Sequence, residues 1–369
     1  MKKILFTLVD LNVGGVQKTL VSILNNFDYQ KYQVDIMLLD RKEDKLIELL
    51  PQNVSVKYLS DYIKVPVNKS IFYRIDKNIS IKKILKLYQN KIPLEYDIAI
   101  AFNGFNNYAD LICASIKAKK RIIWVHNDFY NVIKYSRFPF IYNKMYQMMG
   151  KKFKYFDNIV VVCDEVSDTF NELYQNKYQE CIKVINNYID VKEIIEKSQL
   201  DTPYKLSDNF NIVSTGRLCK AKNFAKLIRI HKRLIDNNYK VNTCIIGDGE
   251  KRGDLEQLID QYNLQDSFKL LGNQLNPYPI MKQGDLFVST SLYESYGNTM
   301  IESLILGIPV IATNTAGARN MNDYLQIGTN EDELYNLIKE HIEQPKKIKK
   351  LDYNKYNKKV MEEIYEILS

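Results

Sequence analysis

Twice along this chain of 369 residues, short apolar runs alternate with amphipathic segments, and no single motif constrains the fold as much as that alternation. In the first stretch "KILFTLVD", "YQVDIMLLD", "YDIAIAF", "RIIWVH" and "NIVVVC" read as strands, and "VQKTLVSILNNF" as a helix with apolar residues at helical spacing. The pattern breaks after "KVINNYID" at a polar, Pro-containing segment, Asp201 to Asn209, and then restarts. There "NIVSTG", "VNTCIIGDG", "SFKLLG", "DLFVST" and "PVIAT" read as strands, and "NFAKLIRIHKRLIDN", "GNTMIESLIL" and "KYNKKVMEEIYEIL" as helices. Such alternation argues for parallel sheets covered on both faces, and the length is too great for one ordinary core. The expected fold class is α/β, with two doubly wound parallel-sheet domains facing a central cleft. Residues 1–188 form the first domain, 189–350 the second, and the helix in 351–369 packs back on the first. Ligands of such domains bind at the carboxyl ends of the strands, so chemistry is sought in the loops that follow them.

Composition narrows the class. No apolar run approaches the ~20 residues of a membrane span. The opening "MKKILFTLVD" imitates a signal peptide, but Asp10 ends the apolar run early and no small-residue cleavage site follows, so it reads as a first buried strand. Five scattered cysteines without a C-x-x-C pair, and only three histidines, make a zinc site a poor reading and fit a reducing cytosol. The net charge of +8 lies wholly in the first half: residues 1–186 hold 28 Lys+Arg against 19 Asp+Glu. Two stretches concentrate it. Phe129 to Phe156 has six basic residues, ten aromatics and no acid, and Ile71 to Lys91 has Arg74, Lys77, Lys82, Lys83, Lys86 and Lys91 against Asp76. Cations interleaved with rings suit an anionic membrane surface; they also suit single-stranded nucleic acid, or a solvated face over a Tyr-rich core. No nucleic-acid recognition motif is present, so nucleic acid is not an expected partner.

The unusual residues fall in the strand-to-helix loops. Gly14 and Gly15 stand between the first strand and the first helix, where glycine lets backbone N–H groups approach a phosphate. "STGRLCKAKNF" puts Arg217, Lys220 and Lys222 after a strand, where cations can neutralise a diphosphate. Gly247, in "IIGDGE", serves either a plain helix entry or a close approach to a base. His126 ends "IIWVH", with Asp128 two residues on. In "SLYESYGNTMIES", Glu294 and Glu302 are eight positions apart and would diverge by about 80° on a continuous helix. If the helix begins near Asn298–Thr299, Glu294 belongs to the loop and Glu302 to the first turn, and the objection falls. Thr299 and Glu302 then have the spacing of a capping box. The alternative is that both glutamates face one extended ligand, with the amides of Gly297, Asn298 and Thr299 between them for an anion.

With these residues in view, "GRLCKAKN", "IIGDGE", "LYESYGNTMIESLILGIPVIAT" and the early Gly-Gly resemble the retaining family 4 glycosyltransferases, whose GT-B fold has two Rossmann-like domains. The resemblance is specific from about Asn187 to Thr313 and loose before it. It implies that Arg217 and Lys222 bind the donor diphosphate, that Glu302 holds the ribose and Glu294 the donor sugar, and that Gly14 and Gly15 meet phosphate or sugar. It implies a hydrogen bond from His126 to the donor sugar, and it sets Asn187 at the family's interdomain asparagine. Gly247, Ser295, Tyr296, Gly297, Asn298 and Thr299 complete the donor-binding set. Ser295 stands where the family has Gly, and Asn186-Asn187-Tyr188 where it has Pro-Asn-Gly, so the sugar preference is open. The implied activity is metal-independent transfer, with retention, from a UDP- or GDP-linked sugar to a lipid-linked saccharide. It would serve capsule or lipopolysaccharide synthesis from the inner face of the plasma membrane, with no cofactor. A non-catalytic partner subunit and a sugar-nucleotide epimerase are the competing readings on the same scaffold.

Overall fold

The computed structural model describes residues 1–369 except 13, 42–43, 64–80, 105–106, 347–348 and 350. Much of the basic stretch Ile71 to Lys91, including Arg74, Asp76 and Lys77, therefore lies outside the described residues. The chain divides into two compact units, Met1–Ile189 with Asn357–Ser369, and Asp190–Tyr356.

The first unit is built on seven parallel strands: β1 (Lys2–Thr7), β2 (Tyr32–Leu38), β3 (Val54–Tyr58), β4 (Glu95–Ala101), β5 (Lys117–Val125), β6 (Asn158–Val161) and β7 (Ile182–Val184). Their order across the sheet is β3-β2-β1-β4-β5-β6-β7. The middle strands are buried on both faces, with Ile4, Leu5, Phe6, Ile98, Ile100, Ile122 and Trp124 all inside, and helices carry the crossovers. The terminal helix Tyr353–Leu368 buries Val360, Ile364, Ile367 and Leu368, and Tyr365 stacks on Tyr32 with ring centroids 5.8 Å apart.

The second unit has six parallel strands: β8 (Phe210–Thr215), β9 (Val241–Ile246), β10 (Phe268–Leu270), β11 (Leu286–Ser289), β12 (Val310–Thr313) and β13 (Gln326–Gly328), in the order β10-β9-β8-β11-β12-β13. Helix Phe224–Asp236 lays Phe224, Leu227, Ile228, Ile230 and Leu234 into its core beside Ile212, Ile245 and Val288. In each unit the strand order reverses once, between β1 and β4 and between β8 and β11. The loops flanking such a reversal diverge and leave room for a ligand. Among the described residues no helix is long and apolar enough to cross a membrane.

Candidate active site

In the second unit β8 and β11 are hydrogen-bonded neighbours running in parallel, so the loops after them share one edge of the sheet. Backbone and hydroxyl groups tie these loops together. Leu292 N–H donates to the Ala221 carbonyl at 2.7 Å, and Thr290 Oγ1 donates to the carbonyls of Lys222 and Asn223 at 3.1 and 3.2 Å. From opposite loops Lys222 Nζ and Glu294 Oε2 then meet at 2.6 Å, their side chains only 19% and 22% exposed. Ser291 Oγ donates to the same carboxylate oxygen at 3.3 Å. Two residues expected at diphosphate and sugar respectively are thus one ion pair, partly withdrawn from water, where Coulombic attraction is stronger than at an open surface.

Helix Asn298–Ile305 follows. Its N-cap is Gly297, at φ 80 in the left-handed region, with no side-chain cap and no acid in the first turn. Thr299 is inside the helix, so the Thr299–Glu302 capping box is not formed. Glu302 is in the second turn rather than the first, and Tyr278 Oη donates to its Oε1 at 3.4 Å. Burial, with the Glu302 charge second, raises the Tyr278 pKa and keeps its phenol a donor. Nothing in "LNPYPI" marks Tyr278 as this partner. The loop is also braced by Gly317, whose N–H donates to the Glu294 carbonyl at 2.8 Å. A Cβ there would stand 2.6 Å from the Tyr296 carbonyl carbon. Tyr296, expected to line the sugar's pocket, is buried, and its hydroxyl meets that of Tyr356. Ser295 and Asn298 flank it on the same loop and helix start.

Arg217 is not part of the Lys222–Glu294 pair. It is exposed, and its Nε is 3.4 Å from Glu250 on the turn after β9. Gly247 explains that neighbourhood: a Cβ would fall 2.0 Å from the Gly216 carbonyl oxygen. Its close approach is to the backbone of the Arg217 loop, reinforced by Leu218 N–H donating to the Asp248 carbonyl at 3.0 Å.

In the first unit Gly14 is the extended N-cap of helix Gly15–Asn25, which has no side-chain cap and no acid in its first turn. His126 follows β5, with Phe102 at 4.8 Å and Trp124 nearly parallel at 6.2 Å between ring centroids. Burial pushes its pKa down to about 3, against the smaller opposing pull of the Phe102 backbone and the Asn187 side chain. The ring is therefore neutral at physiological pH, and its Nε2 makes no hydrogen bond among the described residues. The structure brings Asn187 and His126 together, a pairing that sequence spacing does not reveal. Asp128 acts locally, its carboxylate capping helix Phe129–Lys134 through the Asn131 N–H at 3.1 Å. Among the described residues no three His, Cys, Asp or Glu side chains converge as a metal site.

Residues 196–358 match the family model described as glycosyl transferases group 1. That span covers nearly all of the second unit. An uncharacterized glycosyltransferase of Methanocaldococcus jannaschii is 31% identical over 199 residues, 53% of this chain and 48% of that protein. The chain therefore spans about half the length of that curated relative. A Campylobacter jejuni N-acetylgalactosamine-N,N'-diacetylbacillosaminyl-diphospho-undecaprenol 4-alpha-N-acetylgalactosaminyltransferase is 25% identical over 365 residues, covering 94% of this chain and 92% of that one. Among solved structures, Anabaena Alr3699/HepE in complex with UDP-glucose aligns with a TM-score of 0.73 at 19% identity, over 99% of this chain and 100% of that one. The two parallel α/β units are those of the GT-B fold.

Proposed function

We propose that this protein is a retaining, family 4 glycosyltransferase that moves a sugar from a nucleotide diphosphate to a lipid-linked saccharide, in the building of a bacterial surface polysaccharide. The observation that carries the reading is the Lys222–Glu294 pair held at the strand-order reversal of the second unit. The Campylobacter relative, named for a diphospho-undecaprenol-linked acceptor, supports the acceptor class. The UDP-glucose complex of the Anabaena neighbour favours uridine over guanosine in the donor. Work at the inner membrane face follows from an acceptor that is a lipid.

The chemistry needs a leaving diphosphate stabilised as its bond to the sugar breaks. Lys222, with Arg217 and the amides of Gly297, Asn298 and Thr299, supplies positive potential for it without a metal ion. As donor enters, Lys222 exchanges its carboxylate for phosphate, and Glu294 is released toward the sugar hydroxyls. Glu302, held by Tyr278, takes the ribose hydroxyls. Ser295 belongs to the sugar's surroundings; Gly14, Gly15 and neutral His126 are assigned to phosphate or sugar, with Asn187 orienting the imidazole. The acceptor oxygen bonds to the anomeric carbon on the face that the diphosphate leaves. The diphosphate departs with the bonding electrons, and its oxygen takes the acceptor proton. A covalent double displacement would need two carboxylates about 5 Å apart flanking that carbon, and here Glu302 is committed to ribose.

The test is incubation with a panel of UDP- and GDP-sugars and a lipid-linked saccharide, reading nucleotide release and product. Lys222→Ala should lower kcat by about 10²–10³-fold, the loss typical when one leaving-group or oxyanion stabiliser is removed. A folded wild-type protein that releases no nucleotide from any donor would sink the reading, and consumption of donor without acceptor product would mark an epimerase instead.

A further inference from the structure

Helix Pro139–Met149 is seated by its second half only: Tyr146 and Met149 are buried, whereas every residue from Arg137 to Lys144 is exposed. That run reads Arg-Phe-Pro-Phe-Ile-Tyr-Asn-Lys. Nine large hydrophobic residues are exposed among the described residues, and four of them, Phe138, Phe140, Ile141 and Tyr142, fall in these few positions. Phe140 is 82% and Ile141 61% exposed, so this is a projecting apolar turn and not the edge of the core. Cations flank it along the chain. Lys134, Arg137, Lys144, Lys151 and Lys154 are all exposed, and no acid occurs between Phe129 and Phe156. Arg137 lies over the Phe138 ring at 5.3 Å and Lys154 over the Tyr155 ring at 5.1 Å. Lys152 does not belong to this face, since it is buried against Asp110. Besides Asp110, two acids from outside reach the segment: Asp128 at the Asn131 N–H and Glu172 at the Tyr130 hydroxyl.

We propose that the turn Arg137–Lys144 is the element by which the protein docks on an anionic lipid bilayer, its rings and Ile141 entering the interface while the surrounding cations meet the headgroups. An apolar tip flanked by exposed charges of one sign is complementary to that surface. A second copy of this chain fits poorly, because a two-fold interface would set the cations against their own copies. A rigid protein partner fits poorly as well: one helical turn does not approach the roughly 800 Å² per partner of a stable interface. The inference deepens the membrane-face reading above and rests on it for its purpose, but its geometry and its vesicle-binding readout need neither donor nor acceptor.

The experiment is flotation of the full-length protein with phosphatidylcholine vesicles, with and without phosphatidylglycerol. Wild type should bind the anionic vesicles and lose them as salt is raised. Phe140→Ser with Ile141→Ser, and separately Lys134→Gln with Arg137→Gln and Lys144→Gln, should each lower partitioning by about tenfold. All these side chains are exposed, so melting temperatures should match wild type. Nucleotide release with a water-soluble acceptor analogue should also be unchanged. Equal binding to neutral and anionic vesicles, or wild-type binding by both variants, would overturn the proposal. So would a variant effect on self-association or oligonucleotide binding in place of vesicle binding. Vesicle binding without any sugar transfer would instead leave this surface standing and remove the transferase reading.

Discussion

At the scale of single residues, Lys152 departs most from what the sequence suggests. It reads as one more cation of a basic surface stretch, yet its Nζ is buried, 2.5 Å from Asp110 Oδ2 and 3.0 Å from the Gly104 carbonyl. The partner is 42 residues away, and no local pattern announces it. Burial raises the Asp110 carboxyl to about 6, although Lys152 pulls it down. A raised folded-state pKa favours the fold below the unfolded value of 3.8, and that contribution is lost as pH rises through about 6. Lys152→Met removes the opposing pull, so Asp110 protonates more readily still. The variant's deficit should therefore be small near about pH 5 and grow to about 3–5 kcal/mol near about pH 8, the cost of an unpaired buried charge. Urea unfolding at the two pH values checks this, and a deficit independent of pH would contradict it. The loops that carry Lys222, Glu294 and Glu302 stood out in the sequence because their motifs are local; the Lys222–Glu294 pair, Tyr278 and Gly317 did not, because each reaches across the fold.

Among elements, the strands legible in the sequence are all the inner strands of each sheet, with their apolar runs, and one edge, β10, in "SFKLLG". β3, β7 and β13 were missed, and all three are sheet edges. β7 and β13 have three residues each, and most edge residues are only half-buried, so no apolar run marks them. The loop before helix Asn298–Ile305 shows why an element's neighbours matter to its function. Gly317 presses on the backbone at Tyr296 and Gly297, which cannot move aside without moving the loop. Gly317→Ala should cost about 1–3 kcal/mol as overpacking and should also weaken binding of the nucleotide sugar. Gly14→Ala makes the contrast, since a Cβ there meets only the flexible end of Gln17. It should leave stability unchanged and lower transfer alone. Thermal unfolding and calorimetric titration with the donor separate the two outcomes.

For the whole molecule, the sequence placed the break after residue 188, and the contact pattern puts it after Ile189. The uneven charge was legible from composition alone, whereas the projecting turn at Phe140 was not, because exposure is a property of packing. The last helix ties into the first unit by apolar burial and by hydrogen bonds: Lys120 Nζ reaches the Ile367 carbonyl at 2.6 Å, and Asp28 N–H donates to the Tyr365 hydroxyl at 2.9 Å. Deleting residues 357–369 should lower the melting temperature of the first unit and expose dye-binding apolar surface there, leaving the second unit's transition in place. Calorimetry resolves this, and an unchanged first transition would refute it. That same helix bears on how the chain comes off the ribosome. All of Asp190–Tyr356 is synthesised before Asn357–Ser369, so the unit that precedes it lacks a wall throughout that synthesis. The domain begun first is thus completed after the second, and its open apolar face is what a nascent chain of this protein must shield until Asn357–Ser369 has emerged.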